Sequence, residues 1–130
     1  MKLLTDIVIA PGIFTNESTQ TLLNKTFDEV TILGAIKETV YPLSGVDLDP
    51  ANGTIQTKTV TANTLFTESL EDGESLVLIL TRNLANVITF PNYIKWVSPT
   101  GIAPVLGEKS VLVFWKIDGT LYGYRSGIFL

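Results

Sequence analysis

The chain has 130 residues, with no cysteine, no histidine, 9 basic against 13 acidic side chains and a net charge of −4. These counts exclude disulfides, thiolate or imidazole metal sites, a Ser-His-Asp triad and a histidine base, and they leave no basic stripe for nucleic acid. Charged residues make up 17% of the chain, where about 25% is usual, so the shortfall falls on the surface, as it does at a subunit interface or on a lightly charged, Thr-rich β protein.

The N-terminal stretch "KLLTDIVIA" reads as a strand ended by Pro11-Gly12. One lysine precedes an apolar run that Asp6 interrupts, which makes a poor signal peptide and is too short to cross a bilayer. In "STQTLLNKTFDEV", Leu22, Leu23, Phe27 and Val30 fit a helical stripe with Ser18 as N-cap. "VTILGAIKETVYP" is β-branched and reads as strand, and "LSGVDLDPANG" is a loop broken by Pro50 and Asn52-Gly53. In "GTIQTKTVTA", Ile55, Thr57, Thr59 and Thr61 alternate with Gln56 and Lys58. "NTLFTESL" follows, then a turn at "EDG", the apolar run "SLVLILT", a loop at "RNLAN" and the short strand "VITF", stopped by Pro91. "SVLVFWKI" and "TLYGYRSG" flank Asp118-Gly119, the strongest short hairpin signal because a type I′ turn needs positive φ at both positions.

Strands at this spacing predict an all-β, antiparallel β-sandwich or jelly-roll-like domain over residues 36–130. A short N-terminal arm over residues 1–35 precedes it, with room for one short helix. "LVLIL" and "VLVFW" do not alternate, so both of their faces need cover. One sheet supplies one cover. The arm, a neighbouring subunit or a larger particle supplies the other.

Three groups could carry chemistry. Glu68, Glu71, Asp72 and Glu74 could pair as general acid and base, as a glycan hydrolase requires, but a solvated hairpin tip accounts for them more simply. Asp47, Asp49 and Asn52 have the oxygen ligands calcium prefers, but Pro50 intrudes and no later Glu completes the loop, so an Asx-turn connection is the favoured reading. Tyr93, Trp96, Trp115, Tyr122 and Tyr124 could form a sugar-stacking surface. Trp115 ends an apolar strand and Trp96 stands between Ile94 and Val97 with Lys95, placements that favour core. Asn16-Glu17-Ser18 matches a glycosylation sequon, which means little without a secretory signal. No residue is assigned as catalytic, and no cofactor or metal is expected.

From Ile36 to Gly127, the blocks "KETVYPLSG", "LDPANGTIQTKTVTAN", "LEDGESLVLILT", "VITFPNYIKWVSPTGIAPVL" and "SVLVFWKIDGTLYGYRSG" resemble a β domain of tailed-bacteriophage and prophage virion proteins, in fibre-like head and tail proteins and capsid decoration proteins. The specific part is Pro91 preceded by Phe90, Trp96 five residues on, Ala103-Pro104, and Leu121-Tyr122-Gly123. The resemblance spans about 70% of the chain. It implies a non-enzymatic virion structural protein, a capsid decoration or head-fibre protein. Such a protein is made in the bacterial cytoplasm, self-associates as a trimer and binds the major capsid protein or another virion protein, with no nucleic acid or membrane partner. The rival reading is a carbohydrate- or receptor-binding module of a tail fibre or baseplate. The arm is too short for its own core, which places Leu3, Ile7, Ile9 and Phe14 at a particle interface. The tail residues Ile128, Phe129 and Leu130 are assigned to the oligomer interface. Pro91, Trp96, Trp115 and Tyr122 are expected in the core, with residues 90–104 forming a rigid crossing over one end of the fold.

Overall fold

A computed structural model describes residue 21 and residues 23–129, the side chain of residue 129 excepted. The expected strand over "KLLTDIVIA", the interface residues Leu3, Ile7, Ile9 and Phe14, the N-cap Ser18, and Leu22 and Leu130 lie outside the described residues. The chain divides into two units, residues 1–35 and 36–130.

In the first unit, residues 23–35 are exposed and form neither helix nor strand. The expected helical stripe through Leu23, Phe27 and Val30 is therefore absent. An isolated helix of a dozen residues is marginal in water without a packing surface, and this one is interrupted at Asn24 and Glu29, which adopt left-handed φ values of 55° and 50°. The expected strand over residues 30–42 shrinks to its last two residues. Among the described residues, the helical structure is a single 3-10 turn at Pro50–Asn52.

The second unit is built from strands. They are β1 (Tyr41–Pro42), β2 (Asp47–Leu48), β3 (Ile55–Val60), β4 (Thr64–Leu65), β5 (Thr67–Glu68), β6 (Ser75–Arg82), β7 (Ile88–Thr89), β8 (Lys95–Trp96), β9 (Lys109–Ile117) and β10 (Thr120–Phe129). One six-stranded sheet has the order β1-β3-β6-β9-β10-β8, and β2-β5 and β4-β7 form two small sheets. The all-β class holds. The sheets are mixed, however, where a purely antiparallel arrangement was expected. The β3-β6, β2-β5 and β4-β7 pairs are parallel, and only the joins of β6 to β9 and β9 to β10 in the large sheet are antiparallel.

The parallel pairs share one cause. Asp47 lies beside Thr67, Ile55 beside Val77, and Thr64 beside Ile88. The chain thus passes through the same three sheets twice, in the order β2-β3-β4 and then β5-β6-β7, the second turn stacked on the first. These are two coils of a β-solenoid, in which each coil buries its interior against the next. The hairpin β9-β10 then extends the large sheet from β6.

Side chains alternate across that sheet because successive residues of a strand point to opposite faces. Leu76, Leu78, Leu80, Leu112, Phe114 and Leu121 point inward and join Leu48, Phe66, Leu70 and Ile94 in one core cluster. Leu78 and Phe114 are each 0% exposed. On β3 the inward side carries the core residue Val60 and, unusually, a polar one. Gln56 is completely buried, its Nε2 donating to the carbonyls of Asp49 at 2.7 Å and Gly53 at 2.9 Å. The amide thereby holds the 3-10 turn against the first coil.

The crossing after Pro91 packs on this core. Phe90 stacks on Phe66 at 5.1 Å, and Trp96 meets Phe90 at 5.6 Å and Phe114 at 6.0 Å, both edge-on. Pro91 and Trp96 are half-buried, and Trp96 packs against the core cluster from its edge. Trp115 and Tyr122 do not join it. Each follows an inward residue, so each points outward, where the two rings stack on one another at 5.7 Å. The hairpin turn is Asp118-Gly119, with φ of 49° and 72°, as the Asp-Gly pair requires.

Candidate functional site

The four acids do not converge. Glu71, Asp72 and Glu74 belong to a turn, and two of their carboxylates serve backbone there. Glu74 accepts from the Glu71 amide, and Asp72 accepts from the Gly119 amide at 2.8 Å, tying this turn to the hairpin tip. Glu68 was placed with them on a solvated tip, which is a correction to make. Its side chain is only 5% exposed. It accepts from the Leu70 amide at 2.8 Å, from Tyr93 Oη at 3.0 Å and from Lys116 Nζ at 3.4 Å. Burial beside this carboxylate, their hydrogen bond, and the negative charges of Glu68 and Asp47 raise the Tyr93 phenol above its ordinary value. Both Glu68 oxygens are committed to holding strand ends together. The burial was hidden in the sequence because β5 is two residues long and its neighbours suggest a turn.

Asp47, Asp49 and Asn52 are likewise spent locally. Asp47 accepts from Thr67 Oγ1 at 2.6 Å and Ser69 Oγ at 2.7 Å, joining the two coils, and Asp49 accepts from the Ala51 amide. Among the described residues, no group of three or more acidic side chains is arranged to hold a metal ion. The aromatics do not form one platform either. Trp96 is packed at the core end, Trp115 and Tyr122 shield each other, and Tyr93 and Tyr124 are exposed in different places.

Two surfaces stand out instead. The first is the outer face of the large sheet. Its cross-strand rows are Ile55, Val77, Val113 and Tyr124, and then Thr57, Ile79 and Val111, with Trp115 and Tyr122 at one end. No charged side chain enters the rows through Val77 and Ile79, which are flanked by Lys95 beside Tyr122 and by Lys109 beside Thr81. Ile55, Val77, Ile79, Val111 and Val113 are only half-buried. A face four strands wide and eight residues long measures roughly 500 Å² at ordinary strand spacings.

The second surface is a groove of about 650 Å³ between the loop following β6 and residues 101–106, floored by Phe90, Ile94 and Trp96. Its rim carries Leu84, Val87, Ile102 and Val105, all exposed, Val105 to 82%. Arg82 lines it as well. The guanidinium donates to the carbonyls of Asn86 at 2.6 Å, Leu106 at 2.5 Å and Gly107 at 3.2 Å, so it fastens the two loops that wall the groove. Sequence reasoning did not find this site, because its parts come from segments 20 residues apart and the arginine looks like an ordinary strand end.

Comparison with protein-family models, with curated proteins and with solved structures returned no match.

Proposed function

We propose that the chain is a non-enzymatic structural component of a tailed-phage particle, a capsid decoration protein that associates with copies of itself and seats on the particle surface. The observation that carries this reading is the pair of uncharged, largely apolar rows through Val77 and Ile79 on the outer face of the large sheet. Contiguous apolar patches of this size often mark interaction sites, and two such faces together hide roughly 1,000 Å², the lower bound for a specific interface. The scarcity of charge has a second source. Lys58, Arg82, Lys116 and Arg125 all donate to backbone carbonyls, of Ser44, of the groove loops, of Leu70 and of Val105, which draws positive charge down onto the fold.

The phage resemblance supplies the particle and the threefold order: three copies with their outer faces toward a common axis. The major capsid protein, or another virion protein, is the partner, reached through the apolar arm at Leu3, Ile7, Ile9 and Phe14. Light scattering at micromolar concentration should give about three times the 14.2 kDa chain mass, and electron microscopy of labelled particles should place the protein on their surface. A monomer mass would overturn the self-association, and unlabelled particles would overturn the virion role. A carbohydrate-binding module has less in its favour, since the large aromatic rings are packed against other rings. A glycan array tests it directly.

A further inference from the structure

We infer that the groove beside Arg82 is a docking site for residues 27–33 of a second copy, "FDEVTIL", seated by aliphatic contacts along the rim and by a carboxylate on the guanidinium. The inference rests on the self-association just proposed and adds a second contact to it.

The argument begins with Arg82. A guanidinium has five N–H donors. Three are used on the carbonyls of Asn86, Leu106 and Gly107, leaving one on each terminal nitrogen. Neutral carbonyls do not cancel its charge, and among the described residues no carboxylate pairs with it, although acids outnumber bases 13 to 9. The result is a part-buried, rigidly held cation with two donors left for a planar anion. Around it stand four exposed aliphatic side chains, Leu84, Val87, Ile102 and Val105. A fitting ligand therefore combines branched apolar groups with a carboxylate. A glycan lacks the former, and a free inorganic anion would leave the rim wet.

This chain carries such a segment. Phe27, Val30, Ile32 and Leu33 are 53–93% exposed, Asp28 and Glu29 stand between the first two, and none of them is in a helix or strand. Two carboxylates within an apolar stretch match a single unpaired cation within an apolar groove. An unstructured segment can adopt the groove's shape, at the cost of ordering it. Exchange of such arms around a closed ring leaves no unused groove or arm.

The test uses the full chain, isotope-labelled, and a synthetic peptide of residues 24–35. The peptide in excess should shift the amide resonances of residues 84, 87, 102 and 105 and the Trp96 indole signal, saturably. It should also lower the light-scattering mass by displacing the arms of neighbouring copies. A peptide carrying Asp28→Asn and Glu29→Gln should bind at least fivefold more weakly. So should the native peptide to a Val105→Asp chain, whose substitution lies on an exposed position outside the core. Equal binding of the neutral peptide, or shifts elsewhere in the molecule, would overturn the site. Binding with no change in mass would overturn the second copy as occupant. A chain that is monomeric from the outset would refute the self-association, while the resonance shifts would still decide whether the groove reads this segment.

Discussion

The two faces of the large sheet are built from alternate residues of the same strands and behave as different materials. Inward, Leu76, Leu78, Leu80, Leu112 and Phe114 are sealed by the coils and by the crossing at Phe90 to Trp96. Outward, Val77, Ile79, Val111 and Val113 are equally apolar, yet half-buried and backed by no part of the core cluster. One hydrophobic pattern therefore serves two purposes. The inner rows close the fold of one chain, and in the proposed assembly the outer rows would meet another. Hydrophobicity alone does not separate these roles, but the size of the response to substitution should.

The largest response is expected inside. Phe114→Ala removes the ring that Phe90 and Trp96 both contact and should cost about 3–5 kcal/mol, the usual range for emptying a core aromatic site, read by urea unfolding. Next comes a close approach on the same face. A Cβ at Gly123 would lie 2.8 Å from Trp96 Cζ3 and 3.0 Å from Ile94 Cγ2. Gly123→Ala should cost about 1–3 kcal/mol by overpacking and should alter Trp96 emission, since the indole has to move. An unchanged spectrum would place Trp96 elsewhere.

At the sheet's end, Gly119→Val forces a β-branched residue to φ near 72° with nothing in the way of its Cβ. The cost is conformational alone, about 1–2 kcal/mol, and both faces should lose it equally in a melting experiment. Outside, Val113→Lys sharpens the contrast. The position pairs with Val77 and Tyr124, and substitution on a face the core does not touch should change unfolding of the isolated chain by less than about 1 kcal/mol. It should nevertheless reduce the light-scattering mass toward that of one chain. A loss of several kcal/mol would mean that the outer face is a second core of this chain.

Much of this was legible in the sequence, and the failures have physical reasons. "LVLIL" and "VLVFW" announce strands with both faces apolar, and Asp118-Gly119 fixes its own turn, because each depends on local chemistry. The register of parallel strands does not. It is set by stacking between residues 20 to 24 positions apart, and no turn residue specifies it, so a string of short strands looked antiparallel. The same non-local stacking turned Gln56 and Glu68 inward against their polarity: the Gln56 amide donates to the nearby carbonyls of Asp49 and Gly53, and Glu68 is held by the Leu70 amide and by the distant Tyr93 and Lys116. Trp115 was misplaced because the strand's period of two separates it from Phe114, its buried neighbour. At Arg82, only the fold brings together the carbonyls that hold it.

The smallest effect concerns Glu68, whose side chain is 5% exposed. Tyr93 is mostly exposed, but its hydroxyl donates to Glu68 Oε1, and burial together with the neighbouring negative charges raises its pKa above the ordinary 10.0. The folded state therefore keeps this proton longer than the unfolded chain does. Below pH 10 both states hold it and the contribution is constant. As pH rises past 10, the unfolded phenol ionises first, protons are lost preferentially from the unfolded state, and stability falls until the folded phenol ionises too. Tyr93→Phe removes the hydrogen bond and should cost about 0.5–1 kcal/mol at pH 8. The gap between wild type and variant should narrow in urea titrations above pH 10. A gap that stays constant from pH 8 to 11 would show that the phenol does not share its proton with Glu68, and that Lys116 and the Leu70 amide hold this carboxylate unaided.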